Sequence, residues 1–147
     1  MTMTNLPNAI LLVEDNRDDE KLTIAALKDA SVRNPIKVVR DGVEALDYLF
    51  KRNNYEHAAT PQLVLLDLKL PKVDGLEVLR EIRSNALTQS IPVVIFTSSK
   101  EESDLIDSYR LGVNSYIQKP IDFTEFARAV RHLGLYWFVL NQYPPHF

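Results

Sequence analysis

Residues 63–75 read LVLLDLKLPKVDG, and this stretch decides the fold. It begins with four apolar residues in a row, which is typical of a short strand buried on both faces of a sheet. Asp67 follows the apolar run directly, and Gly75 opens a segment whose apolar residues recur at helical spacing. The stretch therefore predicts a buried strand, a loop that carries a carboxylate, and then a helix.

The same alternation extends in both directions along the chain. Apolar runs predict four further strands, at residues 9–13, 36–40, 92–96 and 115–118. Amphipathic segments predict further helices at residues 16–30, 42–52 and 100–111, and a last helix after Asp122. Strict alternation of strands and helices implies a parallel sheet covered on both faces. We therefore predict an α/β fold with a doubly wound, five-stranded parallel sheet.

The composition excludes several classes of protein. The 147 residues are 46% hydrophobic and 25% charged, as in one globular domain, and the four glycines lie too far apart for a nucleotide-binding loop. The chain has no cysteine, which excludes disulfides, cysteine-ligated zinc and thiol nucleophiles. A net charge of −3 disfavours nucleic-acid binding, and neither a signal peptide nor a membrane-spanning run is visible. We expect a cytoplasmic protein that binds neither DNA nor a membrane.

Polar side chains follow four of the five predicted strands. They are Glu14 and Asp15 after the first strand, Asp67 after the third, Thr97 after the fourth and Lys119 after the fifth. Ligands of open α/β sheets bind at the carboxyl ends of the strands, so we expect these side chains to converge. Taken singly, each has an ordinary structural explanation, such as helix capping for Asp15. Their joint occurrence at one edge of the sheet indicates a functional site.

The chemistry of this set points to phosphoryl transfer. Carboxylates in close proximity repel, and one like-charge pair 4 Å apart costs about 4 kcal/mol at an effective dielectric of 20. A hard divalent cation would offset that repulsion, Mg²⁺ first and Mn²⁺ as an alternative, and the Lys119 ammonium would add a second positive charge. A metal, a lysine and a hydroxyl around one carboxylate suit phosphoryl transfer to that carboxylate.

Four stretches together resemble the receiver domain of two-component response regulators. They are LLVEDN at residues 11–16, LVLLDLKLPKVDG at 63–75, PVVIFTSS at 92–99 and YIQKP at 116–120. The resemblance covers residues 8–133 and implies a flavodoxin-like sheet with strand order 2-1-3-4-5. It implies a phosphoacceptor that is not an enzyme beyond, at most, slow self-dephosphorylation. Its phosphodonor would be a sensor histidine kinase.

The resemblance also assigns the ligands of the metal. Asp67 would be the phosphoacceptor and a metal ligand. Asp15 would bind Mg²⁺ directly and Glu14 would bind it through a water molecule. The backbone carbonyl of Lys69 would complete the ligands from the protein.

Three further roles follow from the same resemblance. Lys119 would contact the phosphoryl group. Thr97 would move toward it, and Tyr116 would turn inward behind Thr97 as the second part of the switch.

Residues 134–147 form a C-terminal apolar extension that a minimal receiver lacks. Its apolar residues include Tyr136, Trp137, Phe138 and Leu140. The extension either packs on the protein's own core or forms a homodimer or partner surface, and we predict the homodimer. Residues 133–147 contain no Lys, Arg, Asp or Glu, so we expect no DNA-binding module there. With the long loop at residues 51–61, the extension resembles the small regulators of cyanobacterial phytochromes, which implies a phytochrome as the kinase.

Three other classes of protein share part of this pattern. A phosphohydrolase of the haloacid dehalogenase kind needs a second aspartate two residues after the first, where this chain has Lys69. A flavodoxin needs a Ser-, Thr- or Gly-rich phosphate loop after the first strand, where residues 14–18 read EDNRD. A pseudo-receiver that is not phosphorylated and acts as a protein-interaction module remains the alternative.

Overall fold

The computed structural model describes residues 8–98, 101–119 and 123–134. The strands are β1 (Ile10–Val13), β2 (Ile36–Val39), β3 (Leu63–Leu66), β4 (Val93–Thr97) and β5 (Ser115–Gln118). The helices are α1 (Arg17–Asp29), α2 (Gly42–Leu49), α3 (Gly75–Ser84), α4 (Glu102–Arg110) and α5 (Phe123–Gly134), and a 3-10 turn spans Asn53–Tyr55. The described residues fall into two compact units, one of residues 8–17 and 34–119 and one of residues 18–33 and 123–134.

The five strands form one parallel sheet in the order β2-β1-β3-β4-β5. This is the doubly wound, flavodoxin-like order, and it confirms the predicted fold class. The order reverses at β1, which pairs with both β2 and β3. Ligand sites of such sheets lie at the carboxyl ends of the strands that flank this reversal, here β1 and β3.

The burial of the strands explains why their apolar runs predicted them. The three central strands β1, β3 and β4 are buried over their whole length, as their continuous apolar runs predict. The edge strands β2 and β5 are half-buried along most of theirs. Side chains of β1, β3 and β4 pack with those of α2 and α3 into the hydrophobic core of the first unit.

Helix α2 is shorter than the sequence predicts. An aspartate caps its start, because Asp41 Oδ1 accepts a hydrogen bond from the backbone N–H of Glu44 at 2.8 Å. The predicted helix ran to residue 52, but α2 ends at Leu49. The backbone of Lys51 and Asn53 has positive φ angles of 57° and 56°, which a right-handed helix cannot accommodate. The prediction was therefore wrong at this end, and a 3-10 turn follows instead.

Strand β4 and helix α4 end close to the predicted positions. The predicted strand at residues 92–96 is shifted by one residue, so Thr97 is the last residue of β4 rather than the first one after it. Thr97 pairs with Gln118 of β5, which keeps it inside the sheet. Gly112 follows α4 with a φ of 84°, a conformation that favours glycine and stops a helix.

Candidate functional site

The phosphoacceptor candidate Asp67 lies at the carboxyl end of β3, where three local features hold its backbone. Its N–H donates a hydrogen bond to the carbonyl of Val13 in β1 at 3.1 Å. Gly75 begins α3 directly against it, since a Cβ there would lie 2.3 Å from the Asp67 carbonyl oxygen. The Gly75 N–H also donates to the Leu68 carbonyl at 2.9 Å. The glycine of the LVLLDLKLPKVDG stretch is therefore required by the close approach of α3.

Three carboxylates and an ammonium meet at this edge. One carboxylate oxygen each from Glu14, Asp15 and Asp67 lies within 4.8 Å of the others. Glu14 and Asp67 are buried, whereas Asp15 is exposed. The buried Lys119 places its Nζ 2.5 Å from Glu14 Oε1 and 3.5 Å from Asp67 Oδ2. The structure thus brings together four of the residues that the sequence places at this edge.

The site is short of positive charge. Burial raises the pKa of Glu14 from 4.5 to about 7, the nearby Asp67 carboxylate adds to the increase, and the Lys119 ammonium opposes it. The Lys119 ammonium therefore does not fully offset the effect of burial on Glu14. An added cation beside them would favour the ionised form of Glu14.

The donor set fits a hard divalent cation. Carboxylate oxygens are the ligands that Mg²⁺ and Mn²⁺ prefer, and three of them lie close enough to approach one ion. Lys69 lies beside the cluster, because its backbone N–H donates to Asp67 Oδ1 at 3.1 Å. Its carbonyl as a further metal ligand stays a prediction.

The two predicted switch residues lie on neighbouring strands of the same unit. Thr97 is fully buried, and its carbonyl accepts a hydrogen bond from the backbone N–H of Lys119 at 2.6 Å. Tyr116 pairs with Ile95 in the register of β4 and β5, is half-buried, and packs against the hydrophobic core. Their roles as a switch stay predictions.

The contact between Lys119 and Glu14 was not predicted. The resemblance to receiver domains assigned Lys119 to the phosphoryl group, but its ammonium is closer to Glu14 than to Asp67. The sequence did contain a signal for the contact between Lys119 and Glu14, because both residues follow strands at the same edge of the sheet.

The predicted dimer residues lie outside the described residues. They are Tyr136, Trp137, Phe138 and Leu140. The division of the chain at residue 134 and the homodimer therefore stay predictions. Within residues 8–98, 101–119 and 123–134, no helix combines the length and the apolar character that a bilayer crossing needs.

An open cavity of about 470 Å³ lies away from the acidic cluster, along α2 and the 3-10 turn. Its three carboxylates are already paired within the chain. Glu44 accepts from Tyr55 and from the Arg40 backbone, Asp41 contacts Lys72, and Asp47 accepts from Asn53. These contacts hold the segment after α2 in place, so we do not assign a functional site there.

Comparison with known proteins agrees with this geometry. Residues 10–131 match the family model of the response regulator receiver domain, and the chain belongs to this family. Receiver domains are phosphoacceptors of two-component systems rather than classical enzymes, and they bind divalent metal ions.

Three relatives cover nearly the whole chain. Response regulator Rcp1 of Synechocystis sp. (strain ATCC 27184 / PCC 6803 / Kazusa) is 40% identical over 134 residues, or 91% of each chain. The structure of its Mn²⁺-bound form has a TM-score of 0.86 at 39% identity and covers 95% of this chain and 100% of that one.

The structures of the other two relatives have also been solved. The phosphorylated cyanobacterial phytochrome response regulator RcpA has a TM-score of 0.86 at 40% identity, over 94% of this chain and 99% of that one. The bacteriophytochrome response regulator RtBRR has a TM-score of 0.77 at 51% identity, over 94% and 84%. The resemblance to phytochrome response regulators is thereby confirmed.

Proposed function

We propose that Asp67 accepts a phosphoryl group from a histidine kinase. The observation that carries this proposal is the meeting of the Glu14, Asp15 and Asp67 carboxylates, within 4.8 Å, with the Lys119 ammonium 3.5 Å from Asp67 Oδ2. A carboxylate oxygen of Asp67 forms the new P–O bond while the P–N bond to the kinase histidine breaks. The histidine nitrogen keeps the electron pair of the broken bond and later takes up a proton.

The residues around Asp67 would each have a part in the transfer. Lys119 is placed to offset negative charge on the transferring phosphoryl oxygens. The Lys69 N–H, 3.1 Å from Asp67 Oδ1, orients the carboxylate. Asp15 would hold a divalent cation directly and Glu14 through water, with the Lys69 carbonyl as a further ligand. The bound cation would supply charge stabilisation in the same place.

Mg²⁺ is the ion we propose for this site, with Mn²⁺ able to replace it. The oxygen donors favour hard cations, and the structure of the relative Rcp1 contains Mn²⁺. We expect the phosphoryl group to be lost only by slow self-dephosphorylation. We expect no turnover of small substrates.

We propose a phytochrome as the histidine kinase. Support comes from the names of the relatives RcpA and RtBRR, which are phytochrome and bacteriophytochrome response regulators, at 40% and 51% identity. A cytoplasmic location and the absence of DNA binding stay predictions.

The output would be a protein-contact surface that phosphorylation remodels. Movement of Thr97 and Tyr116 would change the face to which α4 and β5 contribute. Apolar side chains of α4 are exposed, with Leu105 at 38%, Ile106 at 43% and Tyr109 at 55% exposure, and a partner would contact them. If Tyr116→Ala left phosphorylation-dependent partner binding unchanged, this route would be wrong.

Intact-mass measurement tests the proposed function directly. The protein is incubated with Mg²⁺ and a small phosphodonor, beside Asp67→Asn and a metal-free control. Gain of one phosphoryl group that is lost in both controls supports the proposal. No gain under any condition would leave the pseudo-receiver, which binds a partner without phosphorylation, as the better assignment.

A second experiment tests the predicted homodimer. Trp137→Glu should convert the protein to a monomer, because a carboxylate in an apolar interface costs much more than it does in water. Static light scattering reports the mass. An unchanged mass would reject the C-terminal extension as the dimer surface.

A further inference from the structure

The guanidinium of Arg83, in the last turn of α3, joins three segments of the chain. Its Nε and Nη2 donate to the Gly112 carbonyl at 3.0 and 2.8 Å, and Nη2 also donates to Asn114 Oδ1 at 3.1 Å. Its Nη1 donates to the carbonyls of Gln89 and Ile91 at 3.2 and 2.8 Å. One side chain thus fastens the turn between α4 and β5 to α3 and to the segment before β4.

The turn between α4 and β5 has a backbone that accommodates the Arg83 side chain. Gly112 has a φ of 84°, and a Cβ there would lie 3.3 Å from Arg83 Nε. Asn114 is held a second time, because its Oδ1 accepts from the backbone N–H of Val93 at 2.8 Å and its own N–H donates to the Val93 carbonyl at 2.8 Å. The amino end of β5 is therefore fixed to β4 and to α3 together.

The opposite ends of α4 and β5 lie toward the phosphorylation site. Just beyond β5, the Lys119 N–H donates to the Thr97 carbonyl, and the Lys119 ammonium contacts Glu14 and Asp67. Helix α4 starts at Glu102, shortly after β4 ends at Thr97 at the same carboxyl edge of the sheet. The turn that connects α4 to β5 is thus hydrogen-bonded to α3, whereas the opposite ends of these two elements adjoin the groups that phosphorylation changes.

We infer that Arg83 makes the turn at residues 111–114 a fixed pivot of the phosphorylation switch. The inference rests on the proposed function, because it needs Asp67 to be phosphorylated. A planar guanidinium presents its donors in a rigid fork, so five hydrogen bonds from α3 to two other segments resist rotation and translation of the turn. Rearrangement is then confined to the ends of α4 and β5 nearest Asp67, which concentrates the change at the start of α4. Arg83 acts here as a positioning residue, far from the reacting atoms.

Amide hydrogen exchange on the full chain tests the pivot. Exchange is measured with and without beryllofluoride, a phosphoryl analogue, in the presence of Mg²⁺. Arg83→Lys keeps the charge and loses the fork, and Arg80→Lys is the matched control. Arg80 lies three residues earlier on the same helix and pairs with Glu77. The Val113 and Asn114 amides are the reporters, since they donate to the Ser108 and Val93 carbonyls.

In the wild-type protein and in Arg80→Lys, beryllofluoride should change exchange at residues 101–106 and at Lys119 and leave residues 111–114 unchanged. In Arg83→Lys, the reporter amides should exchange about tenfold faster, as expected for loss of one charge-assisted hydrogen bond. The beryllofluoride-dependent change should also spread to residues 111–114. A merely structural residue would alter exchange equally in both states and would leave that difference in place.

Other outcomes overturn the inference in distinguishable ways. A beryllofluoride-dependent change at residues 111–114 of the wild-type protein shows that the turn is not fixed, and this measurement needs no variant. A response of Arg83→Lys that remains confined to residues 101–106 and Lys119 shows that Arg83 has only a structural role. A wild-type protein without any response to beryllofluoride rejects phosphorylation of Asp67, and the pivot with it.

Discussion

Lys119 Nζ lies 2.5 Å from Glu14 Oε1 although 105 residues separate them along the chain. The contact joins β5 to β1 across two intervening strands at the carboxyl edge of the sheet. Both side chains are buried, and the same ammonium reaches Asp67 at 3.5 Å. Two buried carboxylates thus share one cation, and the charge balance of the site depends on that lysine until a metal ion binds.

Removal of the lysine should destabilise the metal-free protein. Lys119→Met leaves two buried carboxylates without their ammonium, and breaking a buried ion pair from one side typically costs about 3 kcal/mol or more. Urea denaturation at pH 8 in a chelator gives the free energy of unfolding, and added Mg²⁺ should restore part of the loss. Lys69→Met is the matched control, because its exposed side chain lies at the same edge. A Lys119→Met protein as stable as the control would contradict the central role of this ammonium.

The pH dependence of stability should show the proton on Glu14. Its pKa is raised from 4.5 to about 7, so between these values the folded protein holds a proton that the unfolded chain releases. This contribution to stability is fully present below pH 4.5 and is lost as the pH rises through about 7. The free energy of unfolding of the metal-free protein should fall over that window, relative to Glu14→Gln. Urea denaturation of both proteins at a series of pH values measures the difference, and parallel curves would count against a raised pKa.

The sheet and the acidic edge could be predicted because their signals are local. Each central strand is a continuous apolar run, and polar residues such as Asp67 follow directly. Parallel strands then bring residues that are distant in sequence to the same edge, so Glu14, Asp15, Asp67 and Lys119 could be grouped without knowledge of any contact.

Contacts that depend on side-chain reach were not predictable. Arg83 bonds to groups between 6 and 31 residues away, and nothing in its neighbourhood distinguishes it from Arg80, which forms an exposed pair with Glu77. The early end of α2 was missed because helix propensity does not reveal it. Lys51 adopts a positive φ angle in the turn that ends the helix, where the Arg52 N–H donates to the Asp47 carbonyl at 2.8 Å.

A methyl group at Gly75 should disturb both stability and the site. The Cβ of Gly75→Ala would lie 2.3 Å from the Asp67 carbonyl oxygen and 2.5 Å from Leu68 Cα, so the backbone that carries the phosphoacceptor must shift. We expect a loss of about 1–3 kcal/mol in the free energy of unfolding and slower phosphoryl acceptance at temperatures where the variant is folded. Gly112→Ala is the comparison, because it strains a positive-φ turn away from Asp67. It should lose stability and keep the acceptance rate measured by intact mass, and equal rates in the two variants would argue against displacement of Asp67.

Two tyrosines that pack against each other should differ in how loss of the hydroxyl group changes stability. The rings of Tyr48 and Tyr55 lie 5.2 Å apart at 66°. The Tyr55 hydroxyl donates to Glu44 Oε2 at 2.7 Å, whereas the buried Tyr48 hydroxyl has no hydrogen-bond partner among the residues that the structure describes. Tyr55→Phe should lower the free energy of unfolding by about 1–2 kcal/mol, because it removes a bond to a charged acceptor. Tyr48→Phe removes a desolvated polar group, so stability should stay constant or rise by up to about 1 kcal/mol. Urea denaturation of the two variants measures both effects, and a comparable loss in each would show that the Tyr48 hydroxyl is hydrogen-bonded in solution.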